Sequence, residues 1–161
     1  MITKEKKQDV VKELKKIFLE SKSIVFANFH GLNVLEVSNI RRSLKKEGVG
    51  YKVARKTLIR RALEEMAPSG EAPSLEGELS VVDGEDVVLP ARLVYEFQKK
   101  LDGKISIMGG IFDGSYRSKE EMLRMATIPS LQVLRGMFVN VINSPIQRFA
   151  IALGEIAKLK N

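Results

Sequence analysis

The stretch Ser23-Ile-Val-Phe-Ala-Asn-Phe29 is the β-strand signal from which the fold of the chain can be worked out. It is rich in β-branched and aromatic residues and is closed by the turn His30-Gly31. Helices are predicted on both sides, because apolar residues recur at helical spacing over residues 3–20, with Thr3 as a candidate cap, and again from Asn33 to Gly48. The chain is therefore expected to begin helix, strand, helix.

Further elements follow in the same manner. Their predicted bounds are a strand over Val49–Ala54, a helix over Thr57–Met66, a strand over Leu79–Val82, a helix over Val88–Phe97 and a strand over Lys104–Phe112. Without the first and third helices, the order is β-α-β twice, which predicts an α+β fold, a ferredoxin-like two-layer sandwich with split β-α-β units and extra helices. A doubly wound parallel sheet is the alternative, and the count of only four strands favours the split pattern.

The composition excludes several classes of function. The chain of 161 residues has no cysteine and one histidine, His30, so a disulfide framework and a zinc site built from Cys and His are excluded. Gly-x-Ser-x-Gly, Walker A and HExxH motifs are absent, so we expect no enzyme, no metal and no cofactor. No signal-peptide core and no apolar run of about 20 residues occurs, which favours a cytoplasmic protein.

Positive charge is concentrated in one segment. Residues 41–61 contain nine Lys and Arg against the single Glu47, whereas residues 64–96 contain nine acidic residues against Arg92. One strongly positive surface is typical of a protein that binds a polyanion. The alternative is a solvated, lysine-rich helix face.

The C-terminal part of the chain has a different character. We predict a basic α/β domain over residues 1–115, a linker with a short helix over 116–130, and a protruding helix over 131–161. In residues 130–161, 17 of 32 are apolar, and Ser144-Pro145 predicts a kink or a restart. Because apolar positions surround much of this helix, it is expected to bind other subunits. There are two alternatives: the helix packs back on the domain, or it lies on a membrane surface.

Several segments in order resemble the bacterial large-subunit ribosomal protein L10 family. They are Phe26-Ala-Asn-Phe-His-Gly-Leu32, Arg41-Arg-Ser-Leu-Lys-Lys-Glu-Gly48, Tyr51-Lys-Val-Ala-Arg-Lys-Thr-Leu58, Lys104-Ile with Gly109-Gly110, and Pro129-Ser130. Where that family commonly has Asn before Thr-Leu, this chain has Lys56.

The resemblance implies a ribosomal stalk-base protein. Its partners would be large-subunit rRNA of the factor-binding region, a neighbouring ribosomal protein, and dimers of the acidic stalk protein L7/L12 that recruit translational GTPases. Two dimers are favoured over three, since the tail is short for the family. A non-ribosomal RNA-binding regulator or chaperone with a self-packed tail is the alternative.

Two sets of site residues are predicted on this basis. For rRNA, the cations are expected to contact phosphates while the other side chains shape the approach of the RNA; the set is Phe29, Gly31, Arg41, Lys52, Arg55, Lys56, Thr57 and Arg60. For the stalk protein, the predicted anchors recur every three or four residues; they are Leu134, Phe138, Val141, Ile142, Phe149, Leu153 and Ile156.

Overall fold

The computed structural model describes residues 4–159, which form two compact units divided between Ile128 and Pro129. The predicted cap at Thr3 and the last two residues of the predicted tail lie outside the described residues. The elements of the first unit are α1 (Lys4–Glu20), β1 (Ser23–Phe29), α2 (Val34–Lys46), β2 (Gly50–Val53), α3 (Lys56–Met66), β3 (Leu79–Gly84), α4 (Leu89–Lys100), β4 (Ile105–Phe112), β5 (Ser115–Arg117) and α5 (Lys119–Ala126).

The five strands form one sheet in the order β2-β3-β1-β4-β5, and every neighbouring pair is antiparallel. Strand β3 lies between β1 and β2, which α2 connects, and β1 lies between β3 and β4, which α4 connects. The predicted split β-α-β arrangement is therefore confirmed. A doubly wound parallel sheet is excluded.

Strand β1 is buried on both faces. Ile24 and Phe26 contribute to one core, which contains residues of α1 and α3, whereas Val25 and Ala27 contribute to a second core with residues of α2, α4 and α5. Successive residues of a strand point to opposite faces, so the run of apolar residues in β1 requires cover on both sides. The helices α1 and α3 are the extra helices of the prediction, and they cover the face that carries Ile24 and Phe26.

Strand β5 was not expected from the sequence. It has only three residues, and it pairs with β4 across the turn at Asp113 and Gly114, both of which have positive φ (51° and 73°). The turn residues Asp113-Gly114 indicate in the sequence where β4 ends. Three half-buried residues after it are too few to show a strand period.

Helix α5 lies within residues 116–130, for which the sequence predicts a linker with a short helix. Its side chains Met122 and Ala126 are buried in the core that α4 and β4 share, because their spacing of four places both on one face of the helix. Ser118 begins the helix with a capping box, in which its Oγ accepts from the N–H of Glu121 and the Glu121 carboxylate accepts from the N–H of Ser118. The first unit thus continues to Ile128.

The second unit is one helix, α6 (Leu131–Leu159). It continues through Pro145, so the predicted restart at this residue is wrong. Pro145 removes one intrahelical hydrogen bond, that to the carbonyl of Val141. Within residues 4–159, no single helix is both long and apolar enough to cross a membrane.

We expect Ser118→Ala to lower the free energy of unfolding of the first unit by about 1 kcal/mol, because an N-cap hydroxyl is lost from a helix that packs in the core. Urea unfolding followed by circular dichroism measures this change. Ser130→Ala is the matched control, since Ser130 lies 3.5 Å from the N–H of Val133 in the second unit. An equal effect of both substitutions would contradict the integral role of α5.

Candidate nucleic-acid interface

The C-terminal ends of β1 and β2 lie side by side at one end of the sheet, which we name the basic edge. The two strands run in the same direction with β3 between them, and the start of β3 pairs with both, as Leu79 with Asn28 and Ser80 with Val53. A groove of about 480 Å³ lies at this edge. Its lining residues are Phe29, Val53, Ala54, Arg55, Lys56, Gly77, Glu78 and Leu79. Three predicted rRNA-binding residues, Phe29, Arg55 and Lys56, are thus brought together.

Arg55 and Lys56 stand at the start of α3, Arg55 as the N-cap and Lys56 as the first helical residue. Arg55 provides no side-chain cap, and the first turn contains no acidic residue. Two cations at a helix N-terminus oppose the helix dipole, which favours negative charge there by typically 0.3–1 kcal/mol per group. A bound anion would reverse this penalty, because it would meet both side-chain cations and the free N–H groups of the first turn.

Thr57 is exposed in the same first turn of α3. Its position is consistent with the predicted contact, because the hydroxyl of an exposed Thr can donate to a phosphate oxygen.

Gly31 lies in the turn between β1 and α2, with φ of +65° and open space around the position a Cβ would take. Hydrogen bonds hold the chain on both sides of this turn. The N–H of His30 donates to the carbonyl of Lys104 (2.9 Å), and Glu36 accepts from the N–H of Asn33 (2.7 Å) and from Lys104 Nζ (2.9 Å). The pKa of Glu36 is lowered chiefly by the hydrogen bond from the N–H of Asn33, and next by the contact with Lys104. Glycine is needed here because left-handed backbone disfavours other residues.

The side chains of Arg41 and Lys52 lie on opposite faces of the sheet at the edge strand β2. The guanidinium of Arg41, on α2, is 5.7 Å from the ring centroid of Tyr51, and burial raises the pKa of the Tyr51 hydroxyl. Lys52 is the next residue of β2 and points to the other face, where it forms an ion pair with Glu13 of α1. That pairing reduces the positive charge that Lys52 offers to a ligand.

Arg60 is separated from the groove at Phe29. It lines a different cavity of about 520 Å³ with Glu64, Pro68 and Tyr116. The eight predicted residues therefore form no single patch. A charge run in the sequence is distributed over α2, β2 and α3, and α2 and α3 cover opposite faces of the sheet.

A second basic groove was missed by the sequence reasoning. It has a volume of about 500 Å³ and lies between α1 and α3. Its lining residues are Lys7, Gln8, Val11, Lys12, Lys15, Leu58, Arg61 and Glu65. The six lysines of residues 4–16 are interspersed with Glu5, Asp9 and Glu13, so the net charge of this segment is only +3 and it does not stand out beside residues 41–61. Sorting them by helix face would have revealed the cationic side.

The apolar side chains of α6 are exposed. Every predicted anchor has between 40% (Leu134) and 69% (Val141) of its surface accessible. Others around the helix are equally open, including Val139 (64%) and Ile151 (64%). Such an extended apolar surface marks a site of interaction.

The fold and these surfaces define the class of protein: a basic α+β domain followed by an exposed apolar helix. Comparison with known proteins identifies the family. The model of the ribosomal protein L10 family matches residues 2–99, and the chain belongs to this family. It is therefore a structural protein of the large ribosomal subunit and not an enzyme.

Relatives match along nearly the whole chain. The large ribosomal subunit protein uL10 of Shouchella clausii is 36% identical over 157 residues, covering 97% of this chain and 94% of the relative. Those of Lactobacillus johnsonii and Bacillus licheniformis are each 34% identical, covering 97% of this chain and 95% and 94% of the relatives.

We expect Glu36→Gln to destabilise the domain at neutral pH but not in acid. Because the pKa of Glu36 is lowered in the folded state, its charge stabilises the fold above the unfolded pKa of about 4.3, and this contribution is lost as pH falls through the folded pKa. Gln keeps the hydrogen-bond acceptor at this capping position but removes the ion pair with Lys104.

Thermal unfolding from pH 7 to pH 3 measures this difference between Glu36→Gln and the unaltered protein. Glu47→Gln, at the other end of α2, is the matched control and should change the melting temperature less. A difference that persists unchanged at pH 3 would show that the charge of Glu36 is not its cause.

Proposed function

We propose that this protein forms the base of the ribosomal stalk in the cytoplasm. The first unit binds large-subunit rRNA of the factor-binding region beside a neighbouring ribosomal protein. Helix α6 anchors dimers of the acidic stalk protein L7/L12, which in turn recruit translational GTPases. The observation that carries this proposal is the exposure of apolar side chains all around α6, in a family of structural ribosomal proteins.

Binding of rRNA rests on the basic edge of the sheet. Arg55 and Lys56 are its centre, because they share one groove with Phe29 and stand at a helix N-terminus. Arg41, Lys52 and Arg60 contribute from the flanks. Contacts to phosphates give affinity and register, and the shape of the RNA supplies the specificity.

Anchoring of the stalk protein rests on apolar burial and charge. Burial of each anchor side chain contributes about 1.5–3 kcal/mol, so a few anchors are sufficient for stable association. Within the described part of α6, Arg135, Arg148 and Lys158 oppose the single acidic residue Glu155. This positive balance suits an acidic partner.

The number of dimers is suggested by a repeat within α6. Phe138-Val-Asn-Val-Ile142 aligns with Phe149-Ala-Ile-Ala-Leu153 at an offset of 11 residues. Eleven residues are about three helical turns, so the two copies face one way and are about 16 Å apart along the axis. We propose two dimers, one for each copy; three would need a further segment.

We expect the double variant Arg55→Gln with Lys56→Gln to weaken rRNA binding and to lower the dependence of log K on log salt by about 0.7–0.9 for each lost phosphate contact. Filter binding of a transcript of the factor-binding region, from 50 to 300 mM salt, measures the slope. Lys22→Gln with Lys119→Gln removes the same charge from the far end of β1 and from beyond the β5 edge. Equal slopes for the two double variants would contradict the proposed interface.

We expect Phe138→Asp and Phe149→Asp each to remove one dimer, because a carboxylate in an apolar contact is strongly unfavourable. Calorimetric titration of purified L7/L12 into the chain gives the number of sites, which should fall from two to one in each variant. Gln147→Asp adds the same charge at a polar position of α6. Should both Phe variants keep two sites, the arrangement of one dimer per copy is wrong.

A further inference from the structure

Helices α1 and α3 form the walls of the second basic groove, the one lined by Lys7, Gln8, Lys12, Lys15 and Arg61. Its floor is apolar. Val11 is 7% exposed, and Leu58 packs against the same core. The groove therefore has cationic rims above an apolar floor, and its depth comes from the packing of two helices rather than from loops.

The cations on its rims differ in whether they form ion pairs. Lys15 is paired with Glu65 across the groove. Lys7, Lys12 and Arg61 are exposed, and within residues 4–159 none of them forms an ion pair. Three unneutralised cations around one concave surface repel each other, and a bound polyanion would relieve that repulsion.

The groove and the basic edge of the sheet both involve helix α3. Arg55 and Lys56 start the helix, and Arg61 lies six residues after Arg55, about 9 Å along the axis. This separation is comparable to the Debye length of about 8–10 Å at physiological salt, so one polyanion would experience both sets of cations. The Lys52–Glu13 ion pair joins β2 to α1 in the same region.

An RNA backbone fits this track better than an acidic protein segment does. The groove and the surface to which the proposed function assigns rRNA share helix α3, and a chain of phosphates can follow cations that line a groove. The amide of Gln8 can both donate and accept, as a 2′-hydroxyl does.

We infer that the α1–α3 groove is a second RNA-binding surface, in which Lys7, Lys12 and Arg61 contact the phosphodiester backbone of the strand that passes Arg55 and Lys56. This inference rests on the proposed function and extends its interface to α1. The RNA then runs over the outer surface of the layer that α1 and α3 form.

The test compares three charge-matched double variants of the full chain. They are Lys12→Gln with Arg61→Gln in the groove, Arg55→Gln with Lys56→Gln at the sheet edge, and Lys22→Gln with Lys119→Gln as the control. All six side chains are exposed or partly exposed, so none of the substitutions disturbs the core. Circular dichroism with thermal unfolding verifies that each variant folds. The probe is a transcript of the factor-binding region of the large-subunit rRNA, and the readout is the slope of log K against log salt.

We expect the groove variant to lower the slope by about 1.4–1.8, that is, by two phosphate contacts, and the control by less than half as much. If the groove variant matches the control while the edge variant lowers the slope, this inference is wrong and the proposed function stands. If neither variant differs from the control, the proposed rRNA interface fails, and the groove assignment with it.

A further readout separates RNA from protein as the occupant. Large subunits stripped of the protein are reconstituted with each variant. A groove variant that binds the free transcript like the control, yet fails to return to the subunit, would assign the groove to a protein contact and overturn the inference.

Discussion

Strand β1 packs against helices on both of its faces, and the rest of the domain depends on this double burial. Ile24 and Phe26 require the α1–α3 layer, while Val25 and Ala27 require the layer of α2, α4 and α5. With β3 and β4 as its neighbours, β1 also forces β2 outward to the edge of the sheet. The candidate rRNA-binding groove follows from that placement, because β1 and β2 end side by side and the start of α3 is carried to the same position.

Much of the fold could be predicted from local patterns. The helix before β1, the split β-α-β order and the position of Pro90 in the first turn of α4 all follow from hydrophobic period and turn residues. The status of α5 could not be predicted in the same way. The stretch Ser118–Thr127 shows that a helix forms, but whether Met122 is buried depends on the space that α4 and β4 leave, which is a property of the tertiary structure. Sequence period reports local conformation, and burial of a short helix is not local.

The candidate site was predictable only in part, for a related reason. A run of nine cations in residues 41–61 predicts a basic protein, yet the sheet distributes these residues to both of its faces. Arg55 and Lys56 come together with Phe29 because two parallel strands end side by side, which the split pattern implies. The α1–α3 groove depends instead on two helices that are separated along the chain by a strand, a helix and another strand. The exposed apolar side chains of α6 were the easiest to foresee, because a helix that is apolar on several sides cannot bury them by itself.

In the proposed function, a single chain joins an RNA-binding domain to a helix that holds acidic subunits in pairs. The native mass of the tagged chain, purified from its own cells after dissociation of the ribosomes at high salt, tests this claim most directly. The account predicts the mass of one chain plus four small acidic subunits, because high salt weakens phosphate contacts but not apolar burial. A bare monomer under these conditions would contradict it and would leave an RNA-binding protein whose apolar helix has no subunit to hold.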